Sequence, residues 1–224
     1  MRYLIKISLI LFGLCSAPAN AQGWIEYINQ TDLFIVNFPG QPTVTETTHL
    51  SAFGAAFPAR EYTVEDRRGR YTITVVDYRD TKEIHLARDN RTEANSSSSV
   101  WITDVRASIA HVAQAFRTRG GEVTYDAWAD IDKIEGHQLQ ITNPDQSRSF
   151  ISIHLHASRL YILEGTVQAG SAPPGIFQQS IGVLDEQGRR IRYMIDADGN
   201  RERMDVMHEW IGVDPELGGD QLIE

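Results

Sequence analysis

His154 and His156 stand two residues apart in an extended, β-branched run, so both imidazoles project from one side of a strand. Imidazole suits zinc or copper, and such a pair could supply two ligands to either ion. A complete site needs a third or fourth ligand, and none stands at a diagnostic spacing. The other reading is two polar residues on the wetter face of a sheet, beside Phe150 and Ser152, with Ile151, Ile153 and Leu155 turned the other way. His49, His85, His111, His137 and His208 are scattered, and spacing joins none of them to the pair. His111, beside Val112 in a helical run, reads as a helix-surface residue.

Other candidate chemistry is thinner. Asp196-Ala197-Asp198-Gly199-Asn200 looks like the start of a calcium loop, but glycine stands fourth rather than sixth, and the twelfth position is Met207 instead of glutamate. A type I′ turn at a hairpin tip accounts for the same residues, which tolerate positive φ. Gly-x-Ser-x-Gly and Ser-x-x-Lys motifs are absent, and His208-Glu209 begins a zinc-protease helix motif that Gly212 interrupts. Gly120-Gly121 closes a helix rather than opening one, the wrong polarity for cradling phosphate. Asp130 and Asp132 share a side by period 2 and read as a solvated strand end.

Trp101, Trp128 and Trp210 could anchor a partner, since aromatic residues dominate interface hot spots. Packing in the core is the more frequent fate of an isolated tryptophan. Trp210 stands apart because it sits with Val206, Met207 and Ile211 near the C-terminus. Trp210 and Ile211 are therefore the candidate partner-binding residues. No residue pattern calls for a cofactor.

The N-terminus sets the compartment. Arg2 and Lys6 give a positive start, Ile7 to Leu14 an apolar stretch, and Ala19-Asn20-Ala21 a small-x-small end, the pattern of a secretory signal peptide over residues 1–21. Its apolar run is shorter than the about 20 residues of a membrane span, so no stable membrane insertion is expected after cleavage. The single cysteine, Cys15, lies in the leader behind Leu14, a poor lipobox, and leaves nothing for a disulfide. Removing Arg2 and Lys6 leaves 19 basic against 30 acidic residues. That balance argues against nucleic acid and anionic lipid as general partners. Arg67, Arg68 and Arg70, and Arg189, Arg190 and Arg192, remain as local basic patches.

These residues need elements to place them. Phe34, Val36 and Phe38 alternate within Leu33 to Phe38, a strand stopped by Pro39-Gly40. Thr43 to Leu50 is extended, and Ala59 to Val64 and Tyr71 to Tyr78 form strands about the polar turn Asp66 to Gly69. Arg79 to Ser99 shows no periodicity and reads as loop. Val105, Ile109, Val112 and Phe116 then recur at helical spacing up to Gly120-Gly121. Glu122 to Trp128, Lys133 to Thr142 and Ser149 to Val167 are extended, the last with room for a turn near Ala157-Ser158. Pro173-Pro174 opens a helix over Gly175 to Leu184. Arg189 to Ile195 and Arg201 to Met207 form a polar hairpin. This order predicts an α+β fold, an antiparallel sheet with helices on one face and water on the other.

The chain also resembles exported bacterial proteins of the Mog1/PsbP-like fold class. The resemblance runs over roughly residues 30–184 and rests on the order of its motifs: Phe38-Pro39-Gly40-Gln41-Pro42 after a first strand, an amphipathic helix, Glu135-Gly136-His137, Arg159-Leu160-Tyr161 in a long strand, and Phe177-Gln178-Gln179-Ser180 in a short helix. The chain departs from the pattern at Ile181, where an aromatic residue is usual. The resemblance implies a sandwich around an antiparallel sheet with a C-terminal hairpin and tail as an extension. Relatives include a photosystem accessory subunit, a Ran-GTPase binder and envelope proteins, so it implies partner binding more than catalysis. The expected divisions are a signal peptide at 1–21, an α+β domain at 22–185 and an extension at 186–224. The expected function is non-enzymatic: a periplasmic or secreted protein that binds, or helps assemble, another envelope protein. The alternative is a periplasmic metal-binding protein using His154 and His156.

Overall fold

The computed structural model describes residues 23–89 and 99–204, so the expected leader, Trp210 and Ile211 lie outside the described residues. In chain order the elements are β1 (Ile25–Asn29), β2 (Phe34–Phe38), β3 (Thr43–Leu50), β4 (Ala56–Asp66), β5 (Gly69–Asp77), α1 (Thr81–Leu86), α2 (Val100–Thr118), β6 (Glu122–Ile131), β7 (Ile134–Thr142), β8 (Arg148–His156), β9 (Arg159–Val167), α3 (Gly175–Ser180), β10 (Gly182–Val183), β11 (Tyr193–Ile195) and β12 (Arg201–Arg203). The fold is α+β. Seven antiparallel strands form the main sheet in the order β3-β4-β5-β9-β8-β7-β6.

The period-2 alternation decides what each face of this sheet meets. Val76, Tyr78, Leu139, Ile141, Ile151, Ile153, Leu160 and Ile162 point to one side, where Ile109, Val112 and Ala113 of α2 cover them. Tyr71, Ile73, Val75, Phe150, Tyr161 and Leu163 point to the other and pack on Phe34, Val36, Phe38, Phe177 and Val183. Those last residues belong to a second, small sheet, β1-β2-β10, and to α3. The expected wet face is thus corrected: the middle of the sheet is buried on both sides, because the small sheet and α3 cover the side opposite α2. This is the covering that β8 and β9, with their near-continuous burial, require.

Asp32 anchors the small sheet to the large one. Its buried carboxylate accepts hydrogen bonds from Arg60 and Tyr62 of β4, and its carbonyl accepts one from the Tyr161 hydroxyl at 3.0 Å. On the C-terminal side, helix α3 is shorter than expected. It stops at Ser180, whose hydroxyl bonds the Phe177 carbonyl and accepts from Asn37 N–H, and Ile181 turns extended to lead into β10. The chain there pairs with β2 rather than continuing as helix.

Two local readings also change. The aperiodic stretch after β5 contains α1, whose inward residues are Thr81 and His85; both are buried and polar, so no apolar period marks the helix. The tip of the β11–β12 hairpin is an Asx-type turn instead of type I′. Asp196 Oδ1 accepts from the backbone N–H groups of Asp198 and Asn200, and Gly199 alone takes positive φ. The turn at Ala157-Ser158 divides β8 from β9, both residues being left-handed (φ 45° and 58°) as a two-residue hairpin demands.

Residues 186–204 fold back on the body. Ile191 is buried, Tyr193 packs on the core beside it, Arg190 donates to Asp132 at 2.7 Å, and Arg203 reaches Asp185. No helix among the described residues is long and apolar enough to cross a membrane.

Candidate functional site

His154 and His156 do share a face of β8, and their surroundings differ. His154 is buried, with Nε2 2.7 Å from Ser152 Oγ and Nδ1 without a hydrogen-bond partner. Its ring lies across Gly136 of β7, where a Cβ would come within 2.2 Å of Nδ1, so only glycine leaves room for the imidazole. Burial pushes the pKa of His154 down to about 4, which keeps the ring neutral at neutral pH. His156 is half-buried at the strand end, its Nε2 3.0 Å from the Tyr193 hydroxyl. Burial lowers its pKa, helped by Arg201, Arg203 and Arg159. Among the described residues, no three His, Cys, Asp or Glu side chains gather to hold a metal ion.

A polar hub that no spacing announced lies under the helical layer. Asp104 of α2 is fully buried; its Oδ2 accepts from Ser51 Oγ at 2.6 Å and lies 2.8 Å from His85 Nε2 of α1. Ser51 Oγ in turn accepts from Ala55 N–H at 3.1 Å and shapes the loop between β3 and β4. Ser, His and Asp are all present, but in an order unfit for nucleophilic attack. The carboxylate sits between the other two, so the imidazole is not placed to take the serine proton. One carboxylate instead ties a loop and two helices together. Beside it Asp104 Oδ1, the Tyr78 hydroxyl and His49 Nε2 are buried without partners. Burial, reinforced by His111, pushes the pKa of His49 down to about 4.

At the open edge of the sheet the chemistry is displayed. The outer edge of β6 pairs with no strand among the described residues. Val123, Tyr125 and Trp128 are exposed on it, Trp128 to 70%. This corrects the expectation that Trp128 packs in the core. Trp101, on α2, is half-buried with the Lys82 ammonium 5.7 Å from its ring. Asp130 and Asp132 do not form a pair either. Asp130, next to last in β6, pairs with Lys133, while Asp132 sits in the following turn (φ 52°) and pairs with Arg190 and Arg192.

Trp128 is held from below. Its ring meets His137 of β7 edge-on, with centroids 5.2 Å apart. His137 Nε2 lies 2.6 Å from Asp126 Oδ1, and Arg117 of α2 grips Asp126 with bonds of 2.6 and 2.8 Å. Arg117, with His137, holds the Asp126 carboxyl well below the usual carboxylate range. Strand register sets Trp128 opposite His137 and Asp130 opposite Glu135, so the indole and both carboxylates share the face that carries α2. Trp128, Ala129, Asp130, Glu135 and Gly136 line a shallow groove of about 500 Å³. Glu135 makes no ion pair among the described residues. In the sequence Trp128 stood out as a possible anchor weighed against core packing, Asp130 as a solvated strand end, and Glu135-Gly136-His137 as a fold marker; no spacing joined them.

No family model matches the chain, and no curated protein matches it. Solved structures that match include the solution structure of cyanobacterial PsbP (CyanoP) from Synechocystis sp. PCC 6803, at 10% sequence identity. The match covers 70% of this chain and 86% of that one, with a TM-score of 0.35. At that score the likeness transfers neither a site residue nor a function.

Proposed function

We propose that this chain is an exported, non-enzymatic protein of the bacterial envelope that binds another envelope protein, and that the β6 edge is where it does so. The observation that carries the reading is Trp128: a tryptophan standing in water on a strand whose outer edge has no partner among the described residues, beside His137, Asp126 and Arg117. A free strand edge offers a row of N–H and C=O groups to an added strand, and a rigid indole beside it offers an anchor. The leader pattern supports export. The Ser51–Asp104–His85 order supports a structural use for this buried cluster, whose residue types resemble catalytic machinery.

In this reading residues 22–185 form the binding domain, and the extension at 186–224 adds a second contact through Trp210 and Ile211. Affinity capture of the tagged mature protein from the envelope fraction tests it, read by mass spectrometry for wild type, Trp128→Ser and a chain ending at residue 204. A partner held by wild type and lost in Trp128→Ser, with unchanged circular dichroism, is the expected result. A partner kept by Trp128→Ser and lost on shortening would move recognition to the tail. Turnover of a substrate by the purified protein, abolished by a pocket mutation, would overturn the non-enzymatic reading.

A further inference from the structure

Resting on the reading of β6 as a binding edge, we infer that its occupant is an extended segment carrying lysine or arginine at alternate positions, one cation seated against Trp128 between Asp130 and Glu135. The row along β6 is Asp126, Trp128 and Asp130, with Glu135 across from Asp130 on β7. Asp126 is neutralised by Arg117 and His137. Asp130 has only an exposed lysine, Lys133 Nζ, at 3.4 Å, and Glu135 has no ion partner among the described residues. An indole flanked by under-compensated carboxylates recognises a cation twice, through the ring quadrupole and through charge-assisted hydrogen bonds.

The same charges reject the other occupants. An antiparallel β6–β6 pairing of two copies, centred on Asp126, would set Asp126 against Asp126 and Asp130 against Glu122, and like charges directly opposite destabilise a sheet. The opposite edge of the sheet among the described residues, β3, offers threonines, Glu46 and no lysine or arginine, so it cannot complement β6 in a second copy. Nucleic acid and anionic lipid meet acidic side chains here and are repelled. A strand added to β6 places every second side chain over this face, so cations spaced i, i+2 would meet the row in register.

The test uses the full mature protein and two labelled ten-residue peptides, one alternating lysine with valine, the other glutamate with valine, followed by fluorescence anisotropy. The lysine peptide is expected to bind and the glutamate peptide not to. Glu135→Lys and Trp128→Ser should each weaken the lysine peptide at least tenfold with the melting temperature unchanged, and raising salt should weaken it further. Equal binding of the two peptides, failure of the lysine peptide to bind, or unchanged affinity in Glu135→Lys overturns the inference. If capture depends on Trp128 while the lysine peptide fails to bind, the basic segment is excluded and the edge reading stands. Capture and peptide binding both indifferent to Trp128→Ser would remove the edge reading itself.

Discussion

Among the described residues an aspartate–histidine pair occurs twice, and the two uses differ in almost everything except the residues. Under α2, Asp104 is fully enclosed, and its histidine and serine partners are buried with it. At the β6 edge, Asp126 is one-third exposed, and its histidine and arginine partners carry an indole that stands in water. In a dry site a carboxylate without partners is costly, so Asp104 is a fastening: every element it touches depends on it. In a wet site the same pair adds little stability and instead fixes the pose of whatever lies above it. Burial, more than residue identity, separates the strut from the display.

The comparison breaks most directly at Asp104. Asp104→Ala leaves His85 and Ser51 buried without their shared acceptor, and a loss of about 3–5 kcal/mol is expected in urea unfolding. Next in size is acid. His154, with a folded pKa of about 4 against 6.5 for an ordinary histidine, takes a proton more readily in the unfolded chain. Its share of stability is therefore whole above pH 6.5 and is lost as pH falls toward 4, by about 3 kcal/mol for a shift of this size. Unfolding midpoints between pH 7.5 and 4 should fall, and His154→Gln should flatten the slope. Gly136→Ala drives a Cβ against His154 and the Ile153 carbonyl, and should lower stability by about 1–3 kcal/mol in the same assay. Smallest is the edge: Asp126→Asn should cost less than about 1 kcal/mol and yet weaken partner capture, because the floor beneath Trp128 loosens. If Asp126→Asn unfolded the protein as Asp104→Ala does, the distinction between the two sites would fail.

What the sequence revealed divides along the same line. Apolar alternation located β2, β5 and the central hairpins, and helical spacing located α2, because their inward residues are hydrophobic, while β3 was legible only from its run of threonines. Helix α1 was invisible since its buried residues, Thr81 and His85, are polar, the first satisfied by the Tyr78 carbonyl and the second by Asp104 of α2. The Asp104 hub joins residues 53 and 19 positions away, which no local window spans. Trp128 was misplaced for a related reason: composition assigns tryptophan to the core, while only strand order reveals that β6 is an edge. The His154–His156 spacing gave the shared face correctly and could not reveal the sheet that covers it.

The small sheet also sets a clock. β2 is completed by β10, and Asn37 is bonded to Ser180 across 143 positions of chain. Closing so long a loop is slow, since its entropy must be lost before any contact repays it. A chain emerging N-terminus first leaves the covering of Phe34, Val36 and Phe38 incomplete until Phe177 and Val183 have followed, an interval in which apolar strands are open to aggregation. Folding of this protein is therefore a race between the arrival of β10 and the fate of β2.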